Sequence, residues 1–176
     1  MSFDVVIAAD LDWGIGKDNA LPWPRLRGDF GHFKAVTSTA SANRRNAIVM
    51  GRKTWESKEI AGKPLPRRLN VVVSRRTIIV PEGVVAATSI DDALDKCGDA
   101  ETVFIIGGAE IYRLAIAHPA LRYVYLTRVW HQFDCDVRVS DLSDGFVIDP
   151  TWPTVGPVDH EEGGVHYRIQ RLYRRR

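Results

Sequence analysis

The chain has 176 residues, 45% of them hydrophobic, and sets 24 Lys and Arg against 22 Asp and Glu for a formal net charge of +2. That length and apolar content suit one domain over residues 1–176 with a buried core. The modest charge, the absence of a basic surface interleaved with aromatics, and the lack of any apolar run of about 18 residues argue against nucleic-acid and membrane partners. Cys97 and Cys135 are too few and too far apart for a disulfide framework, so free thiols and no metal are expected.

Val5–Ala9 opens the pattern as an apolar strand. It ends in the loop Gly14-Ile15-Gly16-Lys17-Asp18-Asn19-Ala20-Leu21-Pro22-Trp23-Pro24, whose glycines allow close backbone approach and whose Pro24 suits a helix start. Arg25–Thr37 is predicted as an amphipathic helix with Leu26, Phe30, Phe33 and Val36 on its apolar face, and Asp29 falls inside that stripe. A carboxylate there needs donors, either from a nearby loop or from a ligand carrying N–H groups. The loop reads as a lid beside that acid, although its Gly-x-Gly has the spacing of neither a dinucleotide fingerprint nor a P-loop.

Beyond it, apolar runs at Ala47–Met50, Asn70–Ser74, Val84–Ala87 and Thr102–Ile106 alternate with helices at Lys53–Glu59, Ser89–Cys97 and Ala109–Ala117. Ser89 is a plausible N-cap and Pro119 a stop. Tyr123–Arg128 and His166–Tyr173 add two strands, the last reached through a loop and therefore free to pair antiparallel. The fold class is α/β: a mostly parallel central sheet with helices on both faces and an antiparallel C-terminal strand. Trp130–His160, rich in Asp, Pro and Gly, receives no assignment.

Two further features carry chemistry. Gly107-Gly108 lies between a strand and the helix at Ala109, where unpaired helix N–H groups suit an anion; the alternative is a tight turn whose glycines serve geometry alone. Arg52, Lys53 and Thr54 open one helix while Ser74 and Arg75 end a neighbouring strand. Cations and hydroxyls so placed suit a phosphate monoester, or else are charged residues at exposed strand ends.

The segments Gly14-Ile15-Gly16-Lys17, Leu21-Pro22-Trp23-Pro24, the Asp29 helix, Gly51-Arg52-Lys53-Thr54-Trp55-Glu56-Ser57 and Ile106-Gly107-Gly108 resemble, in order and spacing, those of dihydrofolate reductase. The resemblance runs from Val5 to the Tyr167–Tyr173 strand. It implies reduction of 7,8-dihydrofolate to 5,6,7,8-tetrahydrofolate by NADPH, with hydride transfer to C6 and protonation of N5. Asp29 would hold the pterin's amidine-like edge, Thr127 would hydrogen-bond the carboxylate, and the Val6 carbonyl would receive an amino group. Phe30 and Phe33 would flank the ring and its aminobenzoyl extension, Arg68 would pair with the glutamate α-carboxylate, and Ile106 and Tyr112 would line the same site.

On the cofactor side the resemblance implies Ala8, Ile15 and Gly16 near the nicotinamide and Arg52, Lys53, Thr54, Ser74 and Arg75 around the 2′-phosphate. Gly107-Gly108 would carry an unusual cis peptide, with Ala109, Glu110 and Ile111 directed toward the pyrophosphate. Leu21 and Trp23 belong to the gate, and water admitted past Leu21 is the expected immediate proton donor. No signal-peptide pattern and no heptad run are present, so a cytoplasmic monomer is expected.

The chain departs from the family pattern at Cys135 and at Val137-Arg138-Val139-Ser140-Asp141, so the loop contacting the lid is expected to behave differently; Ile60 is left without a role. Two other functions stay open: a reductase of the same fold acting on another heterocycle, such as a riboflavin-pathway pyrimidine, and a silent relative that only binds nucleotide or pterin. Asp29 beside the Leu-Pro-Trp loop argues against the first, and the presence of both halves of the site against the second.

Overall fold

Strands buried on both faces read as continuous apolar runs, and β1 (Phe3–Ala9) shows why: every residue but Ala8 is buried. Phe3, Val5, Ile7 and Ala9 join one core cluster, while Val6 packs in a second and Ala8 against a third, as the two-residue pleat requires. The computed structural model describes residues 1–153 and 158–176; residues 154–157 of the unassigned Trp130–His160 segment lie outside the described residues.

In chain order the elements after β1 are β2 (Gly14–Gly16), α1 (Arg27–Ser38), β3 (Asn46–Gly51), α2 (Arg52–Trp55), β4 (Arg68–Val73), β5 (Val84–Ala87), α3 (Ile90–Cys97) and β6 (Val103–Ile105). They continue with α4 (Ala109–Ala117), β7 (Leu121–Val129), β8 (Val137–Arg138), β9 (Phe146–Ile148), β10 (Val158–Glu162) and β11 (Val165–Arg174). The large sheet runs β10-β11-β7-β1-β6-β3-β4-β5, with β9 also on β11. Pairings from β7 to β5 are parallel, and β11 is antiparallel to β7, β9 and β10. The expected α/β class holds, with an antiparallel end of three strands rather than one.

Several boundaries differ from expectation. α1 begins at Arg27, with Leu26 as an extended N-cap that offers no side-chain cap, so Arg25 belongs to the lead-in. Leu26 packs with Trp23, Val129, Val165, Tyr167 and Ile169, whereas Phe33 and Val36 pack with Val6, Ile48, Met50 and Trp55. The apolar stripe thus serves two clusters, and Asp29 lies between its two ends. α2 is a single turn and not Lys53–Glu59, because Trp55 is buried and the chain folds back over it: Ala61 and Gly62 take positive φ, and the Gly62 N–H donates to the Trp55 carbonyl at 2.8 Å. Thr102 and Ile106 fall just outside β6.

The lid loop is partly strand. Gly14 pairs with Arg138 and Gly16 with Val137, joining it to the segment that departs from the family pattern. Beneath them sits Asp10, fully buried, whose carboxylate accepts from the N–H groups of Asp12 (2.9 Å), Gly14 (2.8 Å) and Phe133 (2.8 Å) and from Cys135 Sγ (3.6 Å). Gly14 is required here because a Cβ would stand 2.3 Å from Cys135 Sγ. Replacing Asp10 with Ala leaves these donors, the buried Gly14 N–H and Cys135 thiol among them, without that acceptor. A loss of about 3 kcal/mol or more is expected in urea denaturation, since hydrogen bonds to charged groups are the costly ones to remove; a loss below about 1 kcal/mol would show that the junction does not depend on this carboxylate.

Candidate active site

One cleft of about 1570 Å³ is lined by Asp29, Phe30, Phe33 and Arg68 and also by Arg52, Arg75, Gly107 and Gly108. Every site residue named from sequence lines it except Trp23. Trp23 is buried in the third cluster, edge-on to Phe133 at 5.8 Å, and so backs the cleft wall.

Asp29 comes from the first turn of α1 and Thr127 from β7, which lies beside β1. The Thr127 hydroxyl donates to Asp29 Oδ1 at 2.6 Å, and Oδ2 receives no bond from a described residue. Burial holds the Asp29 carboxyl above its usual range; the Thr127 bond opposes this, the Glu162 charge adds to it and His160 subtracts. Across the cleft the Tyr112 hydroxyl donates to the Val6 carbonyl at 2.7 Å, and its own ionisation is pushed up by burial first and by Asp29 second. A carbonyl has two lone pairs, so Val6 keeps one for a ligand amine.

Arg68 is not a surface residue. It is buried, with Nη1 donating to Thr37 Oγ1 (2.8 Å) and Nε to the Pro66 carbonyl (3.0 Å), and Thr37 Oγ1 in turn donates to the Phe33 carbonyl (2.7 Å). No carboxylate pairs with it among the described residues. Its Nη2 makes no hydrogen bond among the described residues, which leaves donors for a ligand carboxylate.

The opposite end is built from strand termini. The Gly51 N–H donates to the Gly107 carbonyl at 2.7 Å, and a Cβ on Gly51 would meet Ile111 at 2.9 Å. Gly107 has φ of +124° and the Gly107-Gly108 peptide is cis. Ala109, Glu110 and Ile111 present first-turn N–H groups of α4. The Glu110 side chain turns away to Arg113, at 2.7 and 3.0 Å, so only its backbone serves this end. Arg52 pairs with Glu56 at 2.8 Å, while Lys53 and Arg75 have no ion pair among the described residues. The donor set of cations, hydroxyls of Thr54 and Ser74, and a helix N-terminus approached over glycines fits a phosphorylated dinucleotide.

Sequence reasoning passed over Arg25, whose guanidinium lies 4.6 Å over the Phe30 ring, and Arg27, Lys34, Arg76, Thr88, Ser89 and Asp91, all lining the cleft. The Arg75-Arg76 pair and the Ser89 cap were visible signals there. Ile60, left without a role, lines the cleft and packs on the second cluster. The lid is held from two sides: Leu21 N–H donates to Glu59 Oε1 (2.9 Å) and Asp18 N–H to Asp136 Oδ2 (3.0 Å). Among the described residues no group of three or more His, Cys, Asp or Glu could hold a metal ion, and no helix is long and apolar enough to cross a membrane.

The raised Asp29 carboxyl has a consequence for stability. Because the folded state holds this proton more tightly than the unfolded chain, the stability it contributes is complete below the ordinary carboxylate range and is lost as pH rises through the raised value. Asp29→Asn removes that cost and is expected to melt higher than wild type at neutral pH, the gap closing on acidification. A mutant that melts lower at neutral pH would mean that the ionised carboxylate supports the fold.

A family profile described as dihydrofolate reductase matches residues 2–151. The bifunctional dihydrofolate reductase-thymidylate synthase 1 of Arabidopsis thaliana is 41% identical over 176 residues, covering 94% of this chain and 33% of its own length. The chain therefore spans about a third of the plant bifunctional relatives it matches. The dihydrofolate reductase of Gallus gallus is 33% identical over 178 residues, covering 96% of this chain and 94% of that protein. Among solved structures, Schistosoma mansoni dihydrofolate reductase aligns with a TM-score of 0.84 at 32% identity over 98% of both chains. Proteins of this family reduce dihydrofolate to tetrahydrofolate with NADPH. With the acidic helix, the guanidinium and the glycine-lined helix end in one cleft, and these similarities over nearly its full length, the chain belongs to the dihydrofolate reductase family.

Proposed function

We propose that this chain reduces 7,8-dihydrofolate to 5,6,7,8-tetrahydrofolate with NADPH. The observation that carries the reading is the Asp29–Thr127 pair in the same cleft as the α4 N-terminus and a buried Arg68 with no carboxylate partner among the described residues. The ionised carboxylate accepts two parallel N–H bonds from a 2-amino-4-oxo pyrimidine edge, and the Val6 carbonyl takes the amino group's other hydrogen. Phe30 and Phe33 flank the ring system, with Ile106 and Tyr112 on the same wall, and Arg68 binds the glutamate α-carboxylate.

Arg52, Lys53, Thr54, Ser74 and Arg75 would hold the cofactor's 2′-phosphate, the N–H groups of Ala109, Glu110 and Ile111 its pyrophosphate, and Ala8, Ile15 and Gly16 the nicotinamide end. When bound, NADPH supplies a hydride to C6 of the substrate. The residues of this chain supply alignment and a dry site. Asp29 grips the ring edge remote from N5, so the proton reaches N5 through water admitted past Leu21. Asp29 orients the ring and favours its protonation through charge, while the Gly14–Trp23 segment controls solvent.

Loss of NADPH absorbance on mixing the protein with dihydrofolate, against a control without substrate, tests this reading; no loss would return the chain to the silent-binder alternative. Two variants test its halves. Arg75→Ala is expected to weaken NADPH by about ten- to a hundredfold while sparing NADH, because only the former loses a charge-assisted contact; equal losses would remove Arg75 from the phosphate. Asp29→Asn is expected to slow single-turnover hydride transfer at least about tenfold with NADPH affinity unchanged. The wild-type rate should fall as pH rises, since N5 must gain a proton. A mutant with the wild-type rate and pH profile would refute the substrate role of Asp29.

A further inference from the structure

α1 has no side-chain cap of its own, since its N-cap is Leu26. The missing acceptor arrives from the far end of the chain: Glu162 Oε1, at the end of β10, accepts from the Gly28 N–H at 3.1 Å. Gly28 directly precedes Asp29. Next to this contact the Tyr167 hydroxyl, from β11, reaches so close to the helix that a Cβ on Gly28 would stand 2.3 Å from it. Glu162 Oε2 and the Tyr167 hydroxyl are both buried, and the hydroxyl faces the Glu162 side chain and the Asp29 backbone. A carboxylate group is therefore held, half-buried, against the turn of helix that presents Asp29.

We propose that Glu162 is a positioning residue for Asp29: it caps the helix end from the C-terminal hairpin, and its negative charge governs how readily the Asp29 carboxyl keeps a proton. Two effects act in one direction. An anion at the positive end of α1 offsets the helix field that otherwise favours ionised Asp29, and its direct repulsion of a second carboxylate adds to this. The other groups facing Asp29 are Thr127 from β7, Tyr112 from α4, His160 from β10 and Tyr167 from β11. His160 works against Glu162, and its ring stacks on Tyr167 at 4.9 Å. Tyr167 is pushed up to about 12, by burial first and then by the charges of Glu162 and Asp29, so it is a neutral neighbour. His32, three residues after Asp29, faces Tyr125 and Trp152 and is pushed down to about 4 by burial, so it too is neutral near physiological pH.

The inference rests on the proposed function only in taking Asp29 as the substrate-facing acid. Glu162→Gln keeps an acceptor for the Gly28 N–H and removes the charge, whereas Glu162→Asp keeps the charge and withdraws the cap. The direct readout is the carboxyl carbon-13 titration of Asp29 in aspartate-labelled protein without ligands, assigned by its disappearance in Asp29→Asn. Glu162→Gln is expected to lower that midpoint by about half a unit to one unit, a roughly three- to tenfold change in the equilibrium of that proton. Glu162→Asp is expected to melt earlier and to leave that midpoint near wild type. A folded Glu162→Gln protein with an unmoved Asp29 titration, or equal shifts in the two variants, would overturn the proposal. Because this titration needs no turnover, a protein inactive on dihydrofolate would overturn the functional reading without touching this one.

Discussion

The constraint on which the site depends is a carboxylate placed where apolar packing would otherwise be continuous. Leu26 on one side of Asp29 and Phe33 on the other commit α1 to two different core clusters, so the helix cannot rotate to carry the acid into solvent without unpacking one of them. Thr127 then supplies one hydrogen bond to an oxygen that burial has deprived of water. One bond is too few for a carboxylate in such a place, and that deficit is the physical content of affinity for a ligand edge with two N–H donors.

The same logic governs Arg68. Thr37 and the Pro66 carbonyl take hydrogens from Nη1 and Nε, fixing the plane of the guanidinium, while burial makes an unpaired cation costly. The helix that carries Asp29 also carries Thr37, near its opposite end. A single element thus aims both charged groups, and the Asn46 side chain, donating to the carbonyls of Thr37 (3.1 Å) and Thr39 (2.9 Å), fastens that end of α1 to β3.

What the sequence disclosed follows from the range of the interactions. Asp29 was legible because its neighbours at helical spacing are apolar, and the strands because burial on both faces leaves uninterrupted β-branched runs. Thr127 gave no such signal, sitting in a strand among other residues, and only the resemblance to a family marked it; Arg68 stood out by its place before a strand, but only the resemblance gave it a role. α2, at four residues, is too short for any periodicity to register. β8, at two residues, is shorter still. Glu162 meets Gly28 across 134 positions, and nothing local to either residue announces the other.

The departure from the family pattern at Cys135 to Asp141 has a structural counterpart in the lid. Gly14 leaves a space that Cys135 Sγ fills, so the glycine of the loop and the cysteine of the opposing segment are complementary shapes. Asp10 accepts from both, and the β2–β8 ribbon extends the junction by pairing Gly14 with Arg138 and Gly16 with Val137. Beyond Gly16 the tethers change character: Asp18 is held through an exposed Asp136 oxygen and Leu21 through an exposed Glu59 oxygen. Exposed hydrogen bonds break at little cost compared with buried ones. The stretch from Lys17 to Leu21 is therefore held mainly by exposed contacts, the Lys17–Asp134 ion pair among them, while its base stays fixed to the end of β1.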